Sequence, residues 1–249
     1  MSLATLPVYP DGTRTYELAG GIYPSVTSIL SRVWPRADLH AWQTRQALRW
    51  AYENEEEFRA GMAGGLYEGA VAAQRGAERT SRGAATRGTR VHKVAEATAL
   101  GCPRPKVPPE EEGYVAALDA FLAAEVTGFV AAEATVLNRA DRYAGTLDAI
   151  CELRDGHRAL IDWKTNARLY AEHAVQLAAY WACPEMATPR GLVERPPMDT
   201  AIVVRLGADG AYEARRIEWV MALAAWMAVL QLWDECVAPS VWLDGADGE

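Results

Sequence analysis

Three charged residues interrupt apolar sequence in the second half of the chain, and their types and spacing could support chemistry. In the strand-like run ALIDWKT, Asp162 and Lys164 are two residues apart, so both side chains project from the same face. Asp148 interrupts the preceding run GTLDAICEL, and pairing of the two runs would bring it beside Asp162. Charge within an apolar strand is costly unless it is paired or binds a metal, so an ion pair and a functional site are the two explanations, and we favour the second.

Two adjacent buried carboxylates repel each other unless a cation joins them. Hard oxygen ligands suit Mg²⁺ or Mn²⁺, which could hold a phosphate and lower the pKa of an attacking water molecule. Lys164 would then stabilise phosphate charge or help to position that water. An Asp-x-Lys pair alone is a weak signal, so the assignment depends on what surrounds it.

The surrounding sequence contains three ordered motifs, G-x-x-D, D-x-K and Q-x-x-x-Y. The matching residues are Gly145, Asp148, Asp162, Lys164, Gln176 and Tyr180. In this order and with these short spacings, the chain resembles the RecB-like nucleases of the PD-(D/E)XK superfamily. The resemblance implies an α/β fold with a restriction-endonuclease-like core, in which helices flank a mixed central sheet, and it implies deoxyribonuclease activity.

The resemblance extends upstream to RGTRVHKVAE and covers roughly residues 87–181. In similar nucleases a helical histidine binds the metal, which implies His92, Asp148, Asp162 and the backbone carbonyl of Trp163 as ligands here. An imidazole ligand shifts the preference somewhat from Mg²⁺ towards Mn²⁺, and both remain open. Glu96 lies one helical turn from His92 and is a candidate to orient its ring.

Three further residues gain their roles from the resemblance. Glu133 interrupts the strand-like run FVAAEATVL, and similar nucleases often carry a glutamate there, although an edge-strand charge is the alternative. Gln176 and Tyr180 lie one helical turn apart and are implied to position DNA or the nucleophile. Without the resemblance, Tyr180 would be assigned to the core.

The formal charge of -8 argues against a surface that is basic throughout. The first 106 residues nevertheless carry 14 Lys and Arg against 10 Asp and Glu, so they are net positive. Within them, Arg82, Arg87, Arg90 and Lys93 are candidate contacts to DNA phosphates, and a solvated helix face is the alternative. The implied partner is single- or double-stranded DNA.

Tryptophans and cysteines give weaker signals. Trp34, Trp42 and Trp50 could stack on unpaired bases, although tryptophans on helices more often fill cores. Some similar nucleases bind an iron–sulfur cluster through closely spaced cysteines, and that spacing is absent here, so we expect no cluster. We expect reduced thiols at all four cysteines, with Cys151 and Cys183 in the core.

The pattern along the chain predicts helices before the linker at 101–112 and a sheet after it. Ser25 could cap a short helix, an amphipathic helix follows from Asp38 to about Ala73, and glycines then weaken the pattern before the helical run TRVHKVAEATAL. After the linker we expect a helix ended by Gly128, three strands, a helix, a Pro-rich loop at 184–197, two strands and a last helix.

These elements suggest an N-terminal helical region at 1–106 that includes the His92 helix, a nuclease core at 107–238, and a polar tail at 239–249. Together they would form one compact domain. The sequence has neither eighteen uninterrupted apolar residues nor a basic segment followed by an apolar one at its start, so we expect a cytoplasmic protein without a membrane partner.

The leading functional hypothesis is a metal-dependent DNA exonuclease in phage or bacterial recombination or repair, acting alone, as a homo-oligomer or with a recombination partner. One alternative is a module that binds DNA ends or a partner protein with little cleavage. Another is hydrolysis of a different phosphate ester, such as a nucleotide, at the same metal site.

Overall fold

A computed structural model describes residues 13–34 and 37–237, of which residues 37–42 are described by their backbone alone. The chain divides into two compact units, one formed by Met1–Trp34 with Val91–Glu249 and the other by Pro35–Arg90. This division falls inside a long helix and differs from the boundary that the sequence suggested at residue 106. The elements, in chain order, are β1 (Thr15–Leu18), β2 (Gly21–Pro24), α1 (Val26–Val33), α2 (Ala37–Glu53), α3 (Glu55–Ala63), α4 (Leu66–Ala99), α5 (Glu112–Glu125), β3 (Val126–Asn138), β4 (Tyr143–Leu153), β5 (Arg158–Lys164), α6 (Ala171–Trp181), β6 (Glu185–Thr188), β7 (Gly191–Glu194), β8 (Thr200–Leu206), β9 (Tyr212–Arg216) and α7 (Trp219–Leu232).

A seven-stranded mixed sheet forms the centre of the first unit, in the order β7-β6-β3-β4-β5-β8-β9. Only the β5–β8 pair is parallel, because α6 carries the chain over the sheet between these two strands. The predicted meander of three strands is confirmed by the antiparallel β3–β4 and β4–β5 pairs. The prediction of a mixed sheet flanked by helices is likewise confirmed.

Apolar side chains cover both faces of this sheet. One core joins α1, α6 and α7 to Leu160 on β5 and Val203 on β8. The other joins the C-terminal part of α4, from Val91 onward, and α5 to Ile161 and Trp163 on β5. β5 alternates between the two cores because neighbouring residues on a strand point to opposite faces. This strand therefore carries the Asp162–Lys164 pair through the middle of the protein.

The start of the described chain forms a hairpin that the sequence analysis missed. β1 and β2 pair through a two-residue turn in which Ala19 and Gly20 both have positive φ, 47° and 78°. This is the pattern of tight hairpin turns. Ser25 then caps α1 as predicted, since its side chain accepts a hydrogen bond from the Ser28 N–H at 3.0 Å.

Two boundaries after residue 112 differ from the sequence prediction. α5 ends at Glu125, and Gly128 lies within β3, because the Val126 side chain already packs into the core in extended conformation. The segment predicted as a Pro-rich loop contains the β6–β7 hairpin, which pairs with β3 through Val136 and Leu137. Prolines flank these strands rather than interrupt them.

In the second unit the helix predicted from Asp38 to about Ala73 is divided into α2, α3 and the start of α4, and the chain breaks at Gly64 and Gly65 as the glycines predicted. The later glycines do not interrupt the helix. α4 runs for 34 residues through Gly69, Gly76, Gly83 and Gly88. A Cβ atom on Gly76 would lie 2.2 Å from the ring of Trp50, and one on Gly69 would lie 2.3 Å from the sulfur of Met62. These two glycines allow neighbouring helices to approach closely, and this packing offsets their low helix propensity.

α7 and the π-helical turn that follows it are unusually apolar. Within the described residues, Trp219–Val237 is the one helical stretch long and apolar enough to cross a membrane, with a mean hydropathy of 1.4. Trp226, Val229 and Leu230 pack into the sheet core, whereas Val220 and Met221 are exposed.

Candidate metal centre

The candidate centre forms where the pairing between β4 and β5 stops. The register ends at Ala149↔Ile161, one residue before Asp148 and Asp162 would face each other. Beyond that point the backbone N–H of Trp163 donates to Asp148 Oδ2 at 2.7 Å. A side-chain carboxylate thus takes the position of a backbone acceptor, which satisfies the N–H and fixes the carboxylate between the strands.

Asp162 and Lys164 form a buried pair on β5, as their spacing predicts. Lys164 Nζ lies 2.8 Å from Oδ1 and 2.7 Å from Oδ2 of Asp162, whose side chain is 1% exposed. Hydrogen-bond geometry is satisfied only at Oδ1, so Oδ2 is a buried oxygen without a hydrogen bond from the described residues. Burial raises the pKa of Asp162 to about 6 despite the opposing charge of Lys164.

Lys164 remains charged in this setting. Burial alone would lower the pKa of its ammonium, but the carboxylates of Asp162 and Asp148 reverse this effect and raise it. Two acids therefore surround one buried ammonium. Oδ2 of Asp162 is an oxygen that a bound metal cation could use.

His92 reaches the same place from α4. Its Nε2–H donates to the carbonyl oxygen of Trp163 at 2.9 Å, and its Nδ1 lies 3.4 Å from Asp148 Oδ1. Burial would lower the pKa of His92, but the charge and hydrogen bond of Asp148, together with the charge of Asp162, more than reverse this effect and raise the pKa to about 9. Burial would raise the pKa of Asp148, but the charge and hydrogen bond of His92, the charge of Lys164 and the Trp163 N–H together outweigh it and lower this pKa.

Glu133 joins the group from the neighbouring strand β3 and has an unusual backbone. Its φ of 46° is left-handed, a conformation that strains a residue with a Cβ atom. Its carboxylate lies 4.0 Å from His92 Nδ1, and burial together with the Asp148 charge raises its pKa to about 7. Ligand atoms of Glu133, His92 and Asp148 all lie within 4.8 Å of one another.

Gln176 and Tyr180 extend the centre along α6, one turn apart as predicted. Gln176 Oε1 accepts from Lys164 Nζ at 3.2 Å, and its Nε2 donates to the Tyr180 hydroxyl at 2.9 Å. Tyr180 is buried, and a Cβ atom on Gly145 would lie 2.4 Å from its Cε1. The glycine of the first motif thus has a packing role, since it makes room for the tyrosine of the third.

Two further residues of this region were missed by the sequence analysis. The hydroxyl of Tyr16, on β1, lies 3.0 Å from Thr146 Oγ1, and Thr146 precedes Asp148 by two residues on the same face of β4. The alternating TYEL before the Ala-Gly turn was a signal for the strand. No signal in the sequence indicated that this strand would contact β4.

Within the described residues Glu96 makes no hydrogen bond to the His92 ring, and the four predicted DNA contacts are divided between the two units. The His92 ring contacts Trp163, Asp148 and Glu133, while Glu96 acts through its charge, which contributes to the raised pKa of Glu133. Lys93 is exposed in the unit that contains the sheet, and Arg82, Arg87 and Arg90 belong to the other unit. Arg82 pairs with Glu78 at 3.3 Å on the surface.

The burial of the tryptophan and cysteine side chains bears on the roles predicted for them. Trp50 is buried with the Arg79 guanidinium 5.4 Å from its ring centre, so it fills a helix contact and is not an exposed base-stacking platform. Trp34 is half-buried against the sheet core, and the side chain of Trp42 lies outside the described residues. The prediction that Cys151 and Cys183 are core residues is confirmed, whereas Cys102 and Cys236 are exposed.

The arrangement has the donors that a hard divalent cation requires. Carboxylates, an imidazole and a backbone carbonyl converge beside a buried ammonium, and one buried carboxylate oxygen lacks a hydrogen bond among the described residues. Comparison with known proteins adds no family assignment, since no protein-family model matches the chain and the search of curated proteins finds no match.

Proposed function

We propose that the protein is a metal-dependent DNA exonuclease of the RecB-like type, with a restriction-endonuclease-like core in the PD-(D/E)XK superfamily. The observation that carries the proposal is the convergence of His92, Glu133 and Asp148 within 4.8 Å, beside the buried Asp162–Lys164 pair. A purely structural ion pair would need neither the imidazole nor the strained glutamate. Strain of this kind is retained mainly where it serves a function.

The cation is proposed to be Mg²⁺ or Mn²⁺, without an iron–sulfur cluster. His92, Asp148, Asp162 and the carbonyl of Trp163 would hold it, with Glu133 available as a further oxygen ligand. When bound, such a cation neutralises phosphate charge and lowers the pKa of a coordinated water molecule. His92 Nε2 and the Trp163 oxygen are joined by a 2.9 Å hydrogen bond, so an ion bound by both atoms would replace the proton between them.

Lys164 is the residue best suited to act on the reacting phosphate. Its ammonium is charged and donates hydrogen bonds to Asp162 Oδ1 at 2.8 Å and to Gln176 Oε1 at 3.2 Å. From there Nζ would stabilise the negative charge that develops on the phosphate or orient the attacking water. Gln176, fixed by the Tyr180 hydroxyl, would keep Nζ in place.

The choice of DNA and of exonuclease action rests on the motif resemblance. We propose a cytoplasmic enzyme of phage or bacterial DNA recombination or repair, alone, as a homo-oligomer or with a recombination partner. Arg82, Arg87, Arg90 and Lys93 are proposed to contact phosphates, which predicts binding that weakens with salt.

Cleavage of end-labelled single- and double-stranded DNA tests this function. The native protein and Lys164→Ala are compared with Mg²⁺, Mn²⁺ or a chelator. Metal-dependent shortening from one end that the substitution abolishes is the expected result. Binding of intact DNA without cleavage under every condition would identify a binding module instead, and turnover of mononucleotides without DNA cleavage would identify a different phosphate ester as substrate.

A further inference from the structure

The outer side of α7 is apolar and belongs to no part of the candidate centre. From Trp219 to Leu232 the helix contains no charged residue. Its inner side packs into the sheet core through Trp226, Val229 and Leu230. A helix on the surface of a globular protein normally carries charged and polar residues on the side that faces water. The outer side of α7 departs from this rule.

The outward residues of α7 recur at helical spacing and form one continuous surface, which we define as the α7 face. Its members are Val220, Met221, Ala224, Met227, Ala228, Gln231 and Leu232. Val220 and Met221 are 74% and 73% exposed, so this chain covers little of either side chain. Continuous apolar surface on a folded domain marks a site of interaction.

Two features favour a protein over a membrane as the partner of the α7 face. The inner side of the same helix is packed against the sheet, so α7 could not enter a bilayer without leaving the core. Helices that lie on a membrane surface are usually rich in Lys and Arg. The charged residues that follow α7 are instead the acids Asp234 and Glu235.

An acidic groove of about 500 Å³ lies beside the C-terminal half of the α7 face. Met227 lines it together with the carboxylates of Asp141, Asp234 and Glu235. Burial raises the pKa of Asp234, and the charges of Asp141 and Glu235 add to this effect against the opposing charge of Arg142. The negative end of the helix dipole falls at the same end of α7. A surface that packs on this end should therefore bring positive charge beside apolar side chains.

The opposite end of α7 offers such a charge. Arg215 and Arg216 lie at the end of β9, shortly before the helix, and the positive end of the helix dipole lies beside them. Each arginine pairs on the surface with an acid of the same chain, Glu213 at 2.9 Å and Asp155 at 2.6 Å, and exposed pairs of this kind contribute little. Glu218 is the opposing charge at this end. An antiparallel second α7 would bring this end to the acidic groove, whereas a parallel one would bring two acidic ends together.

The order of side-chain sizes along the α7 face also matches antiparallel pairing with itself. Ala224 and Ala228 lie equally far on either side of Trp226, and so do Val220 and Leu232. A two-fold axis level with Trp226 would place Ala224 opposite Ala228 of the second copy. It would likewise place Val220 opposite Leu232. Packed helices that cross are closest at the centre and diverge towards their ends, so small residues belong at the centre and larger ones at the ends.

We propose that the α7 face is a dimer interface, on which α7 of a second copy of this chain packs antiparallel. This dimer is independent of the proposed nuclease activity. Met221 and Met227 would fill the flanks of the contact, since their flexible side chains adapt to uneven spaces. α7 has 14 residues, fewer than the roughly 20–30 a side of a standard interface, so we expect a reversible dimer with a Kd on the order of micromolar.

Analytical ultracentrifugation of the full chain over about 1–100 µM measures this association directly. The variants are Ala228→Glu, Ala224→Lys and an equimolar mixture of the two. Val193→Glu is the control, because it places the same charge on another exposed apolar residue, in β7. Ala224 and Ala228 are exposed helix positions, so both variants should fold, and their melting temperatures verify this.

The native protein should pass from monomer to dimer within this range. Ala228→Glu and Ala224→Lys should each raise the Kd at least about tenfold, because each buries a charge in an apolar contact. Val193→Glu should leave the Kd unchanged. The mixture should associate more tightly than either variant alone, since antiparallel pairing places the introduced carboxylate opposite the introduced ammonium.

A native protein that stays monomeric throughout would overturn the proposal, as would a dimer that both variants leave intact. A mixture that associates no better than its components would overturn the antiparallel arrangement. Monomeric native protein that floats with phosphatidylcholine–phosphatidylserine vesicles, and loses this binding in Ala228→Glu, would assign the α7 face to a membrane instead. If either variant does not fold, Met221→Glu provides the same comparison at a more exposed position.

Discussion

Glu133→Gln should make the metal-free protein more stable while it weakens metal binding. The glutamate is held close to the Asp148 carboxylate in a left-handed backbone conformation, and its pKa is raised to about 7 from an ordinary value of 4.5. Ionised Glu133 is thus disfavoured in the fold. Glutamine has the same shape and nearly the same backbone preference, so the substitution removes the charge and leaves the strain in place.

The sign and size of this difference in the free energy of unfolding follow from proton linkage. Because the folded-state pKa is above the unfolded-state value, the stability that protonated Glu133 contributes is complete below about pH 4.5 and is lost as the pH rises through about 7. At about 1.4 kcal/mol per pKa unit, the full loss by pH 8 is about 3 kcal/mol, and near pH 5 it is still below about 1 kcal/mol.

Urea unfolding in a chelator at pH 5 and pH 8 measures the difference, with Glu17→Gln as the control, because Glu17 is the exposed residue of β1. Glu133→Gln should exceed the native protein at pH 8 by about 2–3 kcal/mol and approach it at pH 5. Mn²⁺ should stabilise the native protein more than the variant. Equal stability of both proteins at pH 8 would refute the view that Glu133 is a destabilised, ionisable member of the centre.

Three further substitutions test the packing, the imidazole and the lysine of the centre. Gly145→Ala should cost about 1–3 kcal/mol in urea unfolding and lower kcat, because its Cβ would lie 2.4 Å from Tyr180, whereas Gly83→Ala has open space and should not destabilise. Calorimetry of Mn²⁺ binding should show release of about one proton, because the ion must replace a proton on His92, whose pKa is about 9. The affinity for Mn²⁺ should therefore rise about tenfold per pH unit between pH 7.5 and 8.5. The variant His92→Gln should lose this pH dependence. Lys164→Met should lower the melting temperature in a chelator, because it leaves the Asp162 carboxylate buried without the lysine ammonium. Added metal should restore part of this loss. An unchanged melting temperature would contradict the pairing of Asp162 with Lys164.

Much of the centre could be predicted from sequence because its residues lie on neighbouring elements. Asp148, Asp162 and Lys164 belong to consecutive strands, and Gln176 to the helix that follows, so short connections alone bring them together. Alternation along a strand and the helical repeat then decide which side chains share a face. These local rules need no knowledge of distant contacts.

What the sequence did not reveal depends on long-range packing. Glycines weaken an isolated helix, yet Gly76 is stabilising in context because the Trp50 ring fills the space beside it. Tyr16 lies 130 residues from Thr146, and no local pattern encodes their contact.

The activity proposed for this centre is hydrolysis of phosphodiester bonds with a divalent cation. Single-turnover cleavage of bound, end-labelled DNA, started by Mn²⁺ or Mg²⁺, tests it most directly, with the native protein, Asp148→Asn and Lys164→Ala compared at saturating protein. We expect cleavage by the native protein only with metal, and rates at least about 100-fold lower for both variants while DNA binding persists. Native rates in either variant, or cleavage in chelator, would contradict it.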